Sequence, residues 1–292
     1  MSAAPAPLLG APGKRFAHHG GELRVYTHES SSTRTPMTFS VFLPARALAA
    51  GAAPSSVPCI YFLSGLTCTW ENFSTKAGAF AAAAAAGVAV VAPDTSPRGA
   101  GVAGEAAHWS LGVGAGFYVD ATTEGWRDHY NMARYVVEEL PAVLAAGLPA
   151  LAATQRRSVM GHSMGGLGAL SLALRNPGAF RAVSAFAPIA HPSAGPWGRA
   201  AYTAMLGPDE ASWAAWDPTF LVGAYKGAPL RVSIEQGGAD EFLAAGQLLP
   251  RDFLAAAARA KAGGAPVDVE YAEHEGYVSY AQRRLPRNPR PH

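Results

Sequence analysis

Arg156-Arg157-Ser158-Val159-Met160-Gly161-His162-Ser163-Met164-Gly165-Gly166-Leu167-Gly168-Ala169-Leu170 is the stretch on which the fold turns. A short apolar run, residues 157–161, enters the pentamer G-x-S-x-G, and a Gly/Ala/Leu helix over residues 165–175 leaves it. Strand, sharp turn and helix in that order make a nucleophile elbow. Such a turn holds its serine in strained backbone geometry, so small residues must flank it on both sides. Gly161 and Gly165 leave that room, and Gly166 and Gly168 let the helix pack closely. The helix start also points amide N–H groups at the reacting centre. Ser163 is the candidate nucleophile. His162 adjoins it, but neighbours at an elbow point apart, so His162 reads as structural.

Outward from the elbow, short β-rich runs alternate with longer helical patterns. Residues 37–43 (MTFSVFL), 58–63 (PCIYFL), 88–92 (VAVVA), 182–186, 230–235 and 267–272 read as strands, and residues 75–86, 131–146 and 246–261 as helices. Strands apolar on both faces and separated by helices predict an α/β architecture, a mostly parallel central sheet with helices on both faces. The Pro/Trp-rich stretch 188–225, with Trp197, Tyr202, Trp213 and Trp216, falls where a small cap is inserted, and its aromatics read chiefly as cap core. Residues 1–15 read as a disordered lead-in, residues 16–280 as one domain and residues 281–292 as a divergent, disordered tail.

Composition narrows the function. The 292 residues carry 23 Lys and Arg against 21 Asp and Glu, a net charge of +2, which disfavours nucleic acid and anionic membranes as partners. No run approaches the roughly 18 apolar residues of a membrane span. Two cysteines, Cys59 and Cys68, exclude a disulfide scaffold and fit a reducing, cytoplasmic setting. The histidines neither pair at H-x-x-x-H spacing nor cluster with other ligands, so no metal is expected. Cys59 reads as packing and Cys68 as a small filler beside a candidate site loop. Arg98, near Asp94, His108 and Trp109, either meets an anionic substrate or anchors its own loop.

A serine hydroxyl needs a histidine to take its proton and a carboxylate to orient that histidine. In this class of fold the chain order is serine, acid, histidine. Residues 230–235 run into Gln236-Gly237-Gly238-Ala239-Asp240-Glu241, which puts Asp240 in a loop at the carboxyl end of a strand, with Glu241 as the fallback. An oxyanion hole needs two backbone N–H donors. Met164, next after the nucleophile, supplies one, and Leu66, in the Ser64-Gly65-Leu66-Thr67 turn after residues 58–63, the other.

Several longer motifs then match one family. Leu63-Ser64-Gly65-Leu66-Thr67-Cys68-Thr69, Asn72-Phe73, Ala92-Pro93-Asp94-Thr95-Ser96-Pro97-Arg98-Gly99, Gly114-Ala115-Gly116-Phe117-Tyr118-Val119-Asp120-Ala121, Gly161-His162-Ser163-Met164-Gly165-Gly166, Ser184-Ala185-Phe186-Ala187-Pro188-Ile189 and Gly246-Gln247-Leu248-Leu249-Pro250 together resemble S-formylglutathione hydrolase, also called esterase D. The resemblance implies an α/β-hydrolase fold, no cofactor, and a small-molecule substrate. The implied reaction is hydrolysis of the glutathione thioester S-formylglutathione to glutathione and formate, in formaldehyde removal. It implies Ser163 as nucleophile, Asp240 as acid, and Leu66 and Met164 as oxyanion donors. A homodimer is compatible with it, and a general short-acyl carboxylesterase is the alternative activity.

One segment departs from the pattern. The family reads E-G-Y-D-H-S-Y around its catalytic histidine, whereas here Glu275-Gly276-Tyr277 runs into Val278-Ser279-Tyr280 and then a basic, Pro-rich tail ending at His292. A shifted reading frame or a genuine variant would each produce this. His274, expected after the strand 267–272, is the candidate base that keeps the chain order; the further alternative is a catalytically impaired family member that lacks the triad histidine.

Overall fold

The computed structural model describes residues 9–151 and 157–277. Among them, nine strands form one sheet: β1 (Lys14–His18), β2 (Gly21–Glu29), β3 (Pro36–Leu43), β4 (Cys59–Leu63), β5 (Ala89–Pro93), β6 (Arg157–His162), β7 (Ala182–Phe186), β8 (Leu230–Gly237) and β9 (Val267–His274). Their order is β1-β2-β3-β5-β4-β6-β7-β8-β9. The pairs from β1 to β5 are antiparallel and those from β5 through β9 parallel. The sheet is therefore mostly parallel, and β6, which leads into Ser163, lies inside it.

Helices pack on both faces, unequally. On one face, Val159, Val183, Ala185, Val232 and Ile234 lie under a core that includes the helices Leu140–Gly147, Met164–Arg175, Pro196–Leu206 and Pro250–Ala262. On the other, the helices Glu71–Lys76 and Phe80–Ala86 cover Phe42, Phe62 and Val90 through Phe73 and Phe80. That cover ends near Met160. Farther along, Ala182, Ser184, Phe186, Ser233 and Glu235 are half-exposed and Arg231, Asp268 and Glu270 exposed. Burial thus alternates along β7 and along β8 from Leu230 to Gln236, the pattern of strands packed on one side only.

Several expected boundaries shift. β1 begins at Lys14, within the stretch expected as a lead-in, where its ladder with β2 takes in Lys14 and Arg15. The expected helix 75–86 is two helices, parted by Gly78 at φ 61°. The helix expected to start at 246 starts at Pro250, since Gly246 (φ 68°) and Leu249 (φ 50°) sit in left-handed geometry. Helix 131–146 changes pitch instead of breaking: Tyr135–Glu139 is a π turn directly before Pro141. Proline has no N–H to give the α ladder and crowds the carbonyl four residues back, and the wider turn relieves both. The expected cap is present as the helices Pro196–Leu206, Glu210–Trp213 and Pro218–Ala224, with Tyr202 and Trp213 fully buried between them. The expected tail, residues 281–292, lies outside the described residues.

Candidate active site

Ser163 follows β6 directly and stands at φ 57°, ψ −117°, a conformation costly for a residue with a side chain. The surroundings hold it there from three sides. Its N–H donates to the Phe186 carbonyl (2.9 Å), and its own carbonyl accepts from Leu167 N–H (3.1 Å) and Ile189 N–H (3.2 Å). The two elbow glycines are obligatory: a Cβ on Gly165 would overlap the Leu63 carbonyl oxygen, and one on Gly161 the Gly165 carbonyl oxygen. β4 and the helix Met164–Arg175 consequently approach backbone to backbone.

The end of β4 lies over the nucleophile. A Cβ on Gly65 would stand 3.2 Å from both the Ser163 Cβ and the His162 carbonyl oxygen, so the Gly65-Leu66 turn lies close against the elbow. In this turn Thr67 N–H donates to the Gly114 carbonyl (2.9 Å) and Cys68 N–H to the Gly65 carbonyl (3.3 Å). The N–H groups of Leu66 and Met164, the two expected oxyanion donors, have no hydrogen-bond partner among the described residues. Two free donors beside a strained serine are what a developing oxyanion requires.

Around this pair, the ambiguous residues resolve. Arg98 anchors its own loop: Nε and Nη2 donate to the two Asp94 carboxylate oxygens (both 3.0 Å), and Nη2 also to the Cys68 carbonyl (3.1 Å). Burial pushes the half-buried Cys68 thiol up from its ordinary pKa, which disfavours a reactive thiolate. Trp197 differs from the other cap aromatics. It is half-buried and meets exposed Trp109 (centroids 5.1 Å apart) and Phe242 (5.0 Å), two residues past Asp240.

Asp240 sits where expected, three residues beyond the carboxyl end of β8, and it is buried. Its Oδ1 accepts from Phe242 N–H (2.8 Å), capping the short helix Glu241–Ala244. Glu241 is exposed at the first turn of that helix. The acid loop and the end of β9 form one hydrogen-bonded unit, with Gly238 N–H on the His274 carbonyl (3.0 Å) and Ala239 N–H on the Tyr277 carbonyl (2.9 Å).

His274 is placed differently from the expectation. It is the last residue of β9, opposite Gly237, and not in a turn after Ala272. Its Nε2 lies 2.5 Å from Glu235 Oε2 and its ring meets Tyr277 edge-on, so it contacts neither Ser163 nor Asp240. Cross-strand pairing, invisible in a linear sequence, is the cause: residues 235 and 274 fall on the sheet face away from the helix Met164–Arg175. His292 lies outside the described residues. The ring of His162, next to the nucleophile, is driven down to a pKa of about 4 by burial.

Sequence reasoning missed Tyr118. It is fully buried, and its hydroxyl donates to the Ser64 carbonyl (2.9 Å). The motif Gly114–Ala121 contained it, but nothing local in those residues reveals a contact 54 positions away.

Comparison with known proteins agrees with this geometry. A family described as a putative esterase matches residues 30–282. The chain is 47% identical to the S-formylglutathione hydrolase of Mus musculus over 258 residues, covering 88% of this chain and 87% of the mouse protein. It is 50% identical to that of Paracoccus denitrificans over 224 residues, 77% of each chain. Among solved structures it is similar to an S-formylglutathione hydrolase from Agrobacterium tumefaciens, with TM-score 0.83, 38% identity, and coverage of 93% of this chain and 92% of that one. A ferulic acid esterase from Anaeromyces mucronatus, 16% identical with TM-score 0.62 over 88% of this chain and 84% of that one, shares the fold alone.

Proposed function

This chain belongs to the S-formylglutathione hydrolase family, and from that premise we propose that it is a serine thioester hydrolase converting S-formylglutathione and water to glutathione and formate. The observation that carries the reading is Ser163, held at φ 57° between the unpartnered N–H groups of Leu66 and Met164.

Ser163 Oγ attacks the thioester carbonyl. As the Oγ–C bond forms, the carbonyl oxygen takes up negative charge against the two amides, the positive end of the helix Met164–Arg175 adding to their effect. Collapse breaks the C–S bond and releases glutathione as thiolate. A thiol titrates near pH 8.5, so this leaving group needs little protonation. The base that takes the Ser163 Oγ proton on attack gives it up to the departing sulfur or to solvent. Water then passes a proton to that base as it attacks the formyl ester, the new C–O bond forms, the bond to Ser163 Oγ breaks, and the base returns the proton to Oγ as formate leaves.

Asp240 is the acid and His274 the base of this reading. The hydrogen bonds that join their loops support the pairing, although the His274 ring must first leave Glu235 and come round the end of β9. Catalytic contacts absent from a free enzyme often form only with substrate bound. Glutathione chemistry places the reaction in a reducing compartment, the cytoplasm.

The alternative, a general short-acyl carboxylesterase, is favoured by the exposed aromatic pair Trp109 and Phe242, which offers an apolar leaving group a surface. The ratio of kcat/KM on S-formylglutathione to that on an aryl acetate decides between them. A ratio well above one supports the thioesterase, and a ratio below one supports the esterase. No turnover of either, with no labelling of Ser163 by a fluorophosphonate, would sink both.

A further inference from the structure

Tyr118 stands in a backbone conformation that bulky residues avoid. Its φ is 52° and that of the preceding Phe117 is 48°, two successive large residues in the left-handed region, both fully buried. Strain of this kind persists only where the surroundings over-determine it, and it concentrates at functional sites. Here the flanking segment is pinned on every side. Gly114 N–H donates to Ser96 Oγ (2.8 Å), the Gly114 carbonyl accepts from Thr67 N–H (2.9 Å), and Gly116 N–H donates to the Thr95 carbonyl (3.2 Å).

The outcome of that strained path is the position of one side chain. The Tyr118 hydroxyl donates to the Ser64 carbonyl (2.9 Å), next to Gly65 and Leu66. The same ring lies against the helix that starts after Ser163, where a Cβ on Gly168 would stand 2.5 Å from its Cδ2. One rigid phenol therefore spans the turn that presents the Leu66 amide and the helix that presents the Met164 amide. We infer that Tyr118 is a positioning residue for the oxyanion hole, a spacer that fixes the separation of the two donor amides. The inference rests on the assignment of Leu66 and Met164 made above. Burial holds the phenol far above its ordinary pKa, so it remains a donor at every working pH.

A positioned donor pair acts when charge develops on the substrate oxygen, and hardly at all before. Tyr118→Phe keeps the ring against Gly168 and removes only the hydroxyl, freeing the turn to drift. The expected result is a fall in kcat of about 10- to 100-fold with KM within about twofold. Affinity for an alkylboronic acid, which forms a tetrahedral anionic adduct on Ser163, falls by a similar factor. Affinity for S-methylglutathione, which has no carbonyl at the reacting position, stays unchanged and reports an intact fold. The boronate arm reads the donor pair whether or not a base is in place.

Unchanged kcat and unchanged boronate affinity would overturn the inference. Parallel weakening of boronate and S-methylglutathione, with a lowered Tm, would also overturn it by showing a merely structural role. Failure of the parent chain to bind boronate at all, with normal S-methylglutathione binding, would instead remove the underlying assignment of Ser163, Leu66 and Met164.

Discussion

At the β6 end of the sheet, the backbone of Leu63 and that of Gly165 are so close that no Cβ fits between them, and Ser163 is held by three backbone hydrogen bonds. At the β8–β9 end, His274 is exposed and engaged with Glu235, beyond the part of that sheet face covered by the helices Glu71–Lys76 and Phe80–Ala86. The first region is set by close packing, where a shift of a few tenths of an ångström is resisted by many atoms at once. The second is set by one hydrogen bond between side chains that water also reaches, and such a contact contributes little to stability. In the proposed mechanism, Ser163 and the N–H groups of Leu66 and Met164 are therefore in place before substrate arrives, whereas His274 has a rotation to make.

That contrast has a direct consequence: changes at the β6 end can only lose activity, while a change at the β9 end can gain it. The largest loss is expected from Ser163→Ala, on the order of 10⁶ in kcat, because the role rests on a single oxygen. The variant should unfold at the parent temperature, and normal turnover by a folded sample would refute the assignment. Asp240→Asn follows, with a loss of roughly 10⁴, since an amide favours the wrong imidazole tautomer. If Glu241→Gln lowers kcat instead, the carboxylate has been misassigned.

The same contrast explains what could be read without coordinates. The elbow was legible because its geometry imposes residue types: only glycine tolerates the approach at positions 161 and 165, so the structural demand is written into the sequence. The strands β4 through β8 were legible from their apolar runs. β1 and β2 were not, because β1 is largely exposed, β2 alternates polar and apolar residues, and their order comes from antiparallel pairing of β1 with β2 and of β2 with β3. The partner of His274 was hidden for a like reason, since Glu235 lies 39 positions away and only the register of β8 on β9 brings them together.

The third prediction tests the gain. Tyr277 is bonded through its carbonyl to Ala239, the residue before Asp240, so the replacement follows the point where β9 is tied to the Asp240 loop. Replacing Val278 by the pair Asp-His is expected to raise kcat/KM on S-formylglutathione by about 10²- to 10³-fold, approaching what a preassembled base contributes. In the parent, His274→Ala should lower turnover. In the replaced chain it should have no effect, because the new imidazole supplants it. Equal, high activity in the parent, the His274→Ala variant and the replaced chain would exclude His274 as the base and erase the contrast between the two ends.

The smallest effect concerns His162, which ends β6 on the Met160 side of the sheet, opposite the helix Met164–Arg175. Burial lowers its pKa from 6.5 to about 4, so the folded chain keeps the ring neutral where an unfolded chain would protonate it. Between those two values the unfolded state binds more protons, and stability must fall as pH falls. It is complete above about pH 6.5 and declines toward pH 4. The shift corresponds to on the order of 2 kcal/mol once the partly accessible area of the ring is discounted. His28, whose pKa burial also lowers, adds to the same slope. Urea unfolding of the parent and of His162→Gln from pH 4 to 7 isolates the contribution of His162: the two curves should converge toward low pH, the parent losing stability faster. Parallel curves would mean that the ring is solvated in the folded state. The β6 end would then be open to water on its outer side, as the β9 end is, and the difference between the two regions would reduce to the glycines alone.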